Sequence, residues 1–227
     1  MEKLNFFWSY ETIVDPLTGN SFNDYYYKGN KGYRVEVNTP KSKVLASYIL
    51  IEKDLRSAIF WLNSIIEIYE NSEEHREQKT FLWNKDNRNL HNLTKGLFVS
   101  SLTFYGKCFS TGEGRAAKLE KANVPEDLVE THEVVMAYRH NFAAHSGTGD
   151  LEKVTIVTAL DVKKKGKPYL AWELNQPDSF AIHHLREFVT LFETMRKYAL
   201  KKRDTLLDKV YQDDVLSKGM KHWYSKT

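Results

Sequence analysis

Apolar residues return every three or four positions through four separate stretches of this chain, and that period limits the folds open to it. The first runs from about Val44 to Tyr69, with Tyr48, Ile51, Leu55, Ala58, Leu62, Ile65 and Tyr69 on one face. The second carries Leu90, Leu93, Leu97, Ser101, Phe104 and Cys108, and the fourth Ala181, Leu185, Phe188, Phe192, Met195 and Ala199. Between them a third helix is predicted from Pro125, at a first helical position with Glu126 and Asp127 behind it, to Ser146, with Gly147 as its stop. An amphipathic helix must bury its stripe against another element, so the chain is predicted to be mainly α, an antiparallel helical bundle.

The remaining segments read differently. Residues 1–43 are rich in aromatic and turn residues and predict a β-rich arm, with extended runs such as NFFWSY and YRVEV. VTIVTALDV and YLAWEL, joined by KKKGKP, predict a β-hairpin at about 153–174, inserted before the last long helix. Asp178 or Ser179 is expected to cap that helix. The bundle is expected over 44–203, followed by a short helix and polar tail over 204–227.

Composition narrows the function classes. With 227 residues and 41% hydrophobic content the chain can build a real core. No stretch is long and apolar enough to span a membrane, and the start lacks a signal-peptide apolar run, so a cytoplasmic protein without membrane partners is expected. Cys108 is the only cysteine, which excludes an internal disulfide and a cysteine-based zinc site. The eight histidines show no HExxH spacing, and adjacent His183 and His184 would point about 100° apart on a helix. No metal and no cofactor are expected. A net charge of +3 permits nucleic-acid binding through a local patch without requiring it.

The third helix carries the candidate chemistry. At 100° per residue, Leu128, His132, Val135, Met136, Arg139, Phe142 and Ala143 fall within about 120° of one another, with Arg139 near the middle. An arginine there needs an acidic partner, a cleft or a subunit interface, because an isolated buried guanidinium costs several kcal/mol. On the flank, Val134, Tyr138, Asn141 and His145 form a second row, with Asn141 one turn before His145 and able to orient its imidazole.

Arg139 and His145, separated by His140, Asn141, Phe142, Ala143 and Ala144, resemble the signature of the HEPN family, an arginine and a histidine four to six residues apart. His132 upstream and Ser146-Gly147 downstream are similar to the way that signature sits in many members. The resemblance covers about residues 44–203 and implies a HEPN-like helical bundle, pairing of two copies so that their motifs face each other, and metal-independent endoribonuclease activity on RNA. It further implies a toxin or antiphage-defence role with a cognate antitoxin or defence-system partner. Within it His145 is the general base, since histidine titrates near neutrality, and Arg139 stabilises charge on the phosphoryl oxygens. His140 and Asn141 would orient the phosphate or the ring. On an ideal helix Arg139 and His145 project about 120° apart, so the last turn must deviate, the arginine arm reach around, or a second copy complete the pair.

His132, Tyr138, Ser146 and the hairpin lysines Lys163, Lys164 and Lys165 are candidate substrate contacts, each with a plainer reading beside it. His132 is also read as a hydrogen-bonded core or interface residue, and the lysines as a solvated hairpin tip. Phe6, Phe7, Trp8, Tyr25, Tyr26 and Tyr27 are read as packing the arm down, with base stacking as the alternative. The stripe bearing His132, Met136 and Arg139 is expected at or beside a symmetric interface of a homodimer. The competing function is a non-catalytic HEPN-like module, an antitoxin or regulatory subunit that binds RNA, a nucleotide or a protein.

Overall fold

The computed structural model describes residues 2–3, 7–71, 88–140, 153–175 and 182–227. It is mainly helical with two small antiparallel sheets: β1 (Glu2–Lys3), β2 (Trp8–Val14), β3 (Ser21–Tyr27) and β4 (Asn30–Lys31), then α1 (Pro40–Glu70), α2 (Arg88–Cys108), α3 (Val129–Tyr138), β5 (Lys153–Ala159), β6 (Tyr169–Asn175), α4 (Ile182–Lys209) and α5 (Gly219–Tyr224). No helix among the described residues is long and apolar enough to cross a membrane. The chain divides into two compact units, residues 1–43 with 206–227 and residues 44–205.

In the first unit β1 to β4 form an antiparallel meander in chain order. The Asp15 carboxylate folds the β2–β3 turn by accepting the Leu17 N–H and the Thr18 hydroxyl. Between β3 and β4, Tyr27 pairs with Asn30, so the loop is Lys28 and Gly29, both at positive φ, the conformation a two-residue hairpin demands. The YRVEV run, predicted extended, joins no ladder.

Helix α1 begins four residues before the predicted Val44. Thr39 and Ser42 cap it reciprocally, the Thr39 N–H donating to Ser42 Oγ at 2.9 Å and the Ser42 N–H to Thr39 Oγ1 at 3.1 Å, with Pro40 in the first turn. At its other end the fourth helix runs to Lys209, past the predicted 203, and continues into a π-helical stretch over Val210–Leu216. No glycine or proline interrupts it before Gly219, at φ +70. The proposed caps Asp178 and Ser179 lie outside the described residues.

The second unit holds the main core. Ile51, Leu55, Ala58, Leu62 and Ile65 of α1 pack with Phe98, Leu102 and Tyr105 of α2, Val135 of α3, and Leu185, Phe188, Phe192 and Met195 of α4. The α1 stripe and the α4 stripe from Leu185 to Ala199 thus face inward as their spacing predicts, Ala181 lying outside the described residues. In α2 the inward face is turned by about 70° from the predicted stripe. Leu93 is 54% exposed, whereas Phe98 and Tyr105 are buried. Two large rings decide that rotation: Tyr105 stacks on Phe192, centroids 4.3 Å apart, and Phe98 on Phe188 at 6.5 Å.

The β5–β6 hairpin pairs Lys153 with Asn175 through Ala159 with Tyr169. Its ladder stops before the predicted Val162 because the Asp161 carboxylate accepts the N–H groups of Lys163, Lys165 and Gly166, curling the tip. Those three bonds also hold the Asp161 carboxyl below the usual carboxylate range.

Candidate functional site

Helix α3 starts later than predicted. Pro125, at φ −56 and ψ 146, stands outside the helix, Glu126–Leu128 make a 3-10 turn, and the α-helix opens at Val129. The helix is regular through Tyr138. Residues 139 and 140 then continue in a wider, π-type turn, so the ideal projection angle ceases to apply where the motif begins. Asn141, His145, Ser146 and the stop at Gly147 lie outside the described residues.

Arg139 is half-buried, and its stem crosses the backbone of α2 at Gly106. A Cβ on Gly106 would come within 2.9 Å of Arg139 Cδ and Nε, so only glycine leaves room for the arm as it lies. Among the described residues no carboxylate pairs with the guanidinium. Its Nε is buried without a hydrogen-bond partner, and Nη1 donates to His140 Nδ1 at 3.3 Å. Since arginine cannot accept, that bond requires His140 Nδ1 to be the unprotonated nitrogen. His140 itself is exposed.

The other predicted residues scatter. His132 is 5% exposed, wedged against Tyr105 and Phe109, with Nδ1 2.7 Å from the Tyr105 hydroxyl. Burial pushes the His132 imidazole below the ordinary histidine value, assisted by Lys121, and pushes the Tyr105 hydroxyl up. The two therefore form a neutral pair in the core. Val135 is buried beside them and Met136 packs on the same core, so these residues of the stripe cover the chain's own interior. Tyr138 is half-buried and sets its ring edge-on to Phe98 and Phe188. Lys163, Lys164 and Lys165 are exposed at the hairpin tip.

Sequence reasoning passed over a second polar cluster. Asp54 of α1 is fully buried and bonded to the Arg115 guanidinium, with Lys107 Nζ 3.3 Å and Lys53 Nζ 3.6 Å away. Ser47 Oγ accepts the Ala116 and Ala117 N–H groups, which ties the Arg115 loop to α1. Beside it, burial and the Asp54 charge push the Cys108 thiol up to about 12, leaving it protonated and unreactive at neutral pH. The cluster was legible, because Asp54 lies three residues after Ile51 on the α1 stripe, as out of place there as Arg139 is on α3. Gly106 also had a signal, a glycine in the middle of a helical period.

Among the described residues no three His, Cys, Asp or Glu side chains converge as a metal site. No protein-family model, curated protein or solved structure matches the chain.

Proposed function

We propose that the chain is a metal-independent endoribonuclease of HEPN type, with Arg139 binding the scissile phosphate and His145 abstracting the 2′-hydroxyl proton. One observation supports this best: a guanidinium fixed across Gly106 with its Nε unpartnered and no carboxylate on it among the described residues. A cation held in place but left unneutralised is a site for an anion, and its planar fork suits phosphate. His140, on the same turn, takes one of the guanidinium's donors and limits its rotation. His132 is assigned a packing role, since a substrate contact would require its core pocket to open. Pairing of two copies, which the resemblance implies, would have to use the exposed His140 end of α3. A toxin or defence role, with an antitoxin partner, follows from the resemblance alone.

Single-stranded RNA should be cut by the wild-type protein in the presence of EDTA, leaving a 2′,3′-cyclic phosphate, while DNA is spared for want of the attacking hydroxyl. His145→Ala should lower the rate about 10²- to 10⁴-fold, and Arg139→Ala should do comparable damage. Equal cutting by His145→Ala and wild type, or no cutting by the folded wild type, would replace this reading with that of a non-catalytic binding module.

A further inference from the structure

The unit built from residues 1–43 and 206–227 contains a pocket of about 730 Å³ that the Arg139 reading leaves unused. Its walls are aromatic: Trp8, Tyr27 and Tyr33 from the N-terminal segment, Trp223 and Tyr224 from the C-terminal one. Such rings ordinarily bury themselves, yet Tyr33 is 71% and Tyr224 62% exposed. Others are fixed in position. The Trp8 ring lies on the Gly32 backbone, where an added Cβ would stand 3.1 Å from it, and Trp223 Nε1 donates to the Val215 carbonyl at 2.9 Å.

Cations lie over two of these rings without themselves lining the pocket. Lys28 Nζ is 5.5 Å from the Tyr27 ring centre, and Lys218 and Lys226 Nζ are 5.7 and 5.5 Å from that of Trp223. None of the three has a carboxylate partner among the described residues, and no Asp or Glu side chain lines the pocket. Lys31, which does line the pocket, is neutralised by Asp24 at 2.7 Å. The wall formed by Trp8, Tyr33 and Val35 is shared with a second cleft of about 410 Å³, which adds Tyr25 and the oppositely charged Arg34 and Glu36, so the rings bound a path longer than one pocket.

We propose that this pocket holds bases of a single-stranded polynucleotide, with Lys28, Lys218 and Lys226 meeting its phosphates. Flat π-faces stack on tyrosine and tryptophan whatever the base, and ammonium groups over the rings that lack a carboxylate partner among the described residues match a backbone carrying one charge per nucleotide. An apolar peptide or small molecule would use the rings but leave the cations without counter-charge. The proposal rests on this unit alone and stands apart from the reading of Arg139.

Fluorescence anisotropy of a labelled 2′-O-methyl oligouridylate on the full chain tests it. That probe lacks the free 2′-hydroxyl, so binding is read whether or not the chain cleaves RNA. Saturable binding is expected, weakened about 5-fold or more by each of Tyr33→Ala and Tyr224→Ala, exposed residues whose loss removes no core. Lys218→Gln with Lys226→Gln should flatten the salt dependence, by about 0.7 in slope for each phosphate that a lysine no longer neutralises. The proposal is overturned if the wild type shows no saturable binding, if the Tyr33→Ala, Tyr224→Ala double variant binds as well as wild type, or if an apolar dye fills the pocket and the oligonucleotide fails to displace it.

Discussion

Arg115 and Arg139 are both drawn inward in the second unit, and they end in opposite states. Arg115 reaches a fully buried carboxylate, Asp54, and is itself only 9% exposed at its side chain. Arg139 reaches no carboxylate among the described residues and keeps a buried, unpartnered Nε. A buried charge is tolerated when a partner cancels it, and an uncancelled one marks a candidate binding site. The first arrangement belongs to folding, tying the loop after α2 to α1. The second, on the proposed reading, serves to bind an anion. Among the described residues, structural ion pairs of the kind open to Arg139 are built on other arginines, Arg115 with Asp54 and Arg196 with Glu52.

The largest effect that would break this contrast is on stability. Arg115→Ala should cost about 3 kcal/mol, the lower end of what removing one partner of a buried pair costs, because Lys107 stays 3.3 Å from Asp54 and takes up part of the charge. Arg139→Ala should cost less than about 1 kcal/mol, since no paired charge is stranded by its loss. Denaturant midpoints of the two variants measure both. Equal losses would mean that Arg139 is a structural residue like Arg115.

Next in size is the effect of Gly106→Ala on cleavage. A helical alanine gains about 1 kcal/mol over glycine, while crowding costs about 1–3 kcal/mol, so the variant should lose between nothing and about 2 kcal/mol and stay folded. The added Cβ would meet the Arg139 stem at 2.9 Å and push the guanidinium aside. A displacement of about 1 Å at a catalytic group can cost about 10²-fold in rate, and a loss of that order is expected on single-stranded RNA. Unchanged cleavage with unchanged stability would show that the position of Arg139 over α2 does not matter to the reaction.

How much of this was legible in the sequence depended on whether a residue's fate is set by its own helix. The stripes of α1 and α4 follow from their spacing, since a long periodic helix has one way to hide Ile51, Leu55, Leu62 or Phe188, Phe192, Met195. In α2 the spacing misled, because the helix rotated to bury Tyr105 and Phe98 against rings of α4, a choice made by the partner helix. The extension of α1 back to Pro40 was written in Thr39 and Ser42, whose reciprocal bonds periodicity alone does not register. Arg139 was found because an arginine on an apolar stripe is conspicuous; Asp54 carries the same mark and was missed. No pattern within α3 could reveal that Gly106 clears the way for the arginine, because that vacancy belongs to another helix.

The smallest expected effect concerns His132, a polar group of the same interior held there by neutrality instead of by counter-charge. Burial lowers its folded-state value below that of the unfolded chain, so as pH falls the unfolded chain takes up the proton first. Stability should accordingly be full above the ordinary histidine value of about 6.5 and decline below it, by at most about 1.4 kcal/mol per pH unit for one proton, until the buried ring also protonates. His132→Gln removes the titration while keeping a side chain able to bond the Tyr105 hydroxyl. Unfolding free energies from urea melts should therefore fall further between about pH 7.5 and 5.5 for wild type than for the variant. All other groups are common to both proteins, so their contribution cancels in that difference. If the two proteins lose the same stability on acidification, His132 is not held neutral by the core, and the contrast between a sealed interior and an open cation at the two ends of α3 would have to be redrawn.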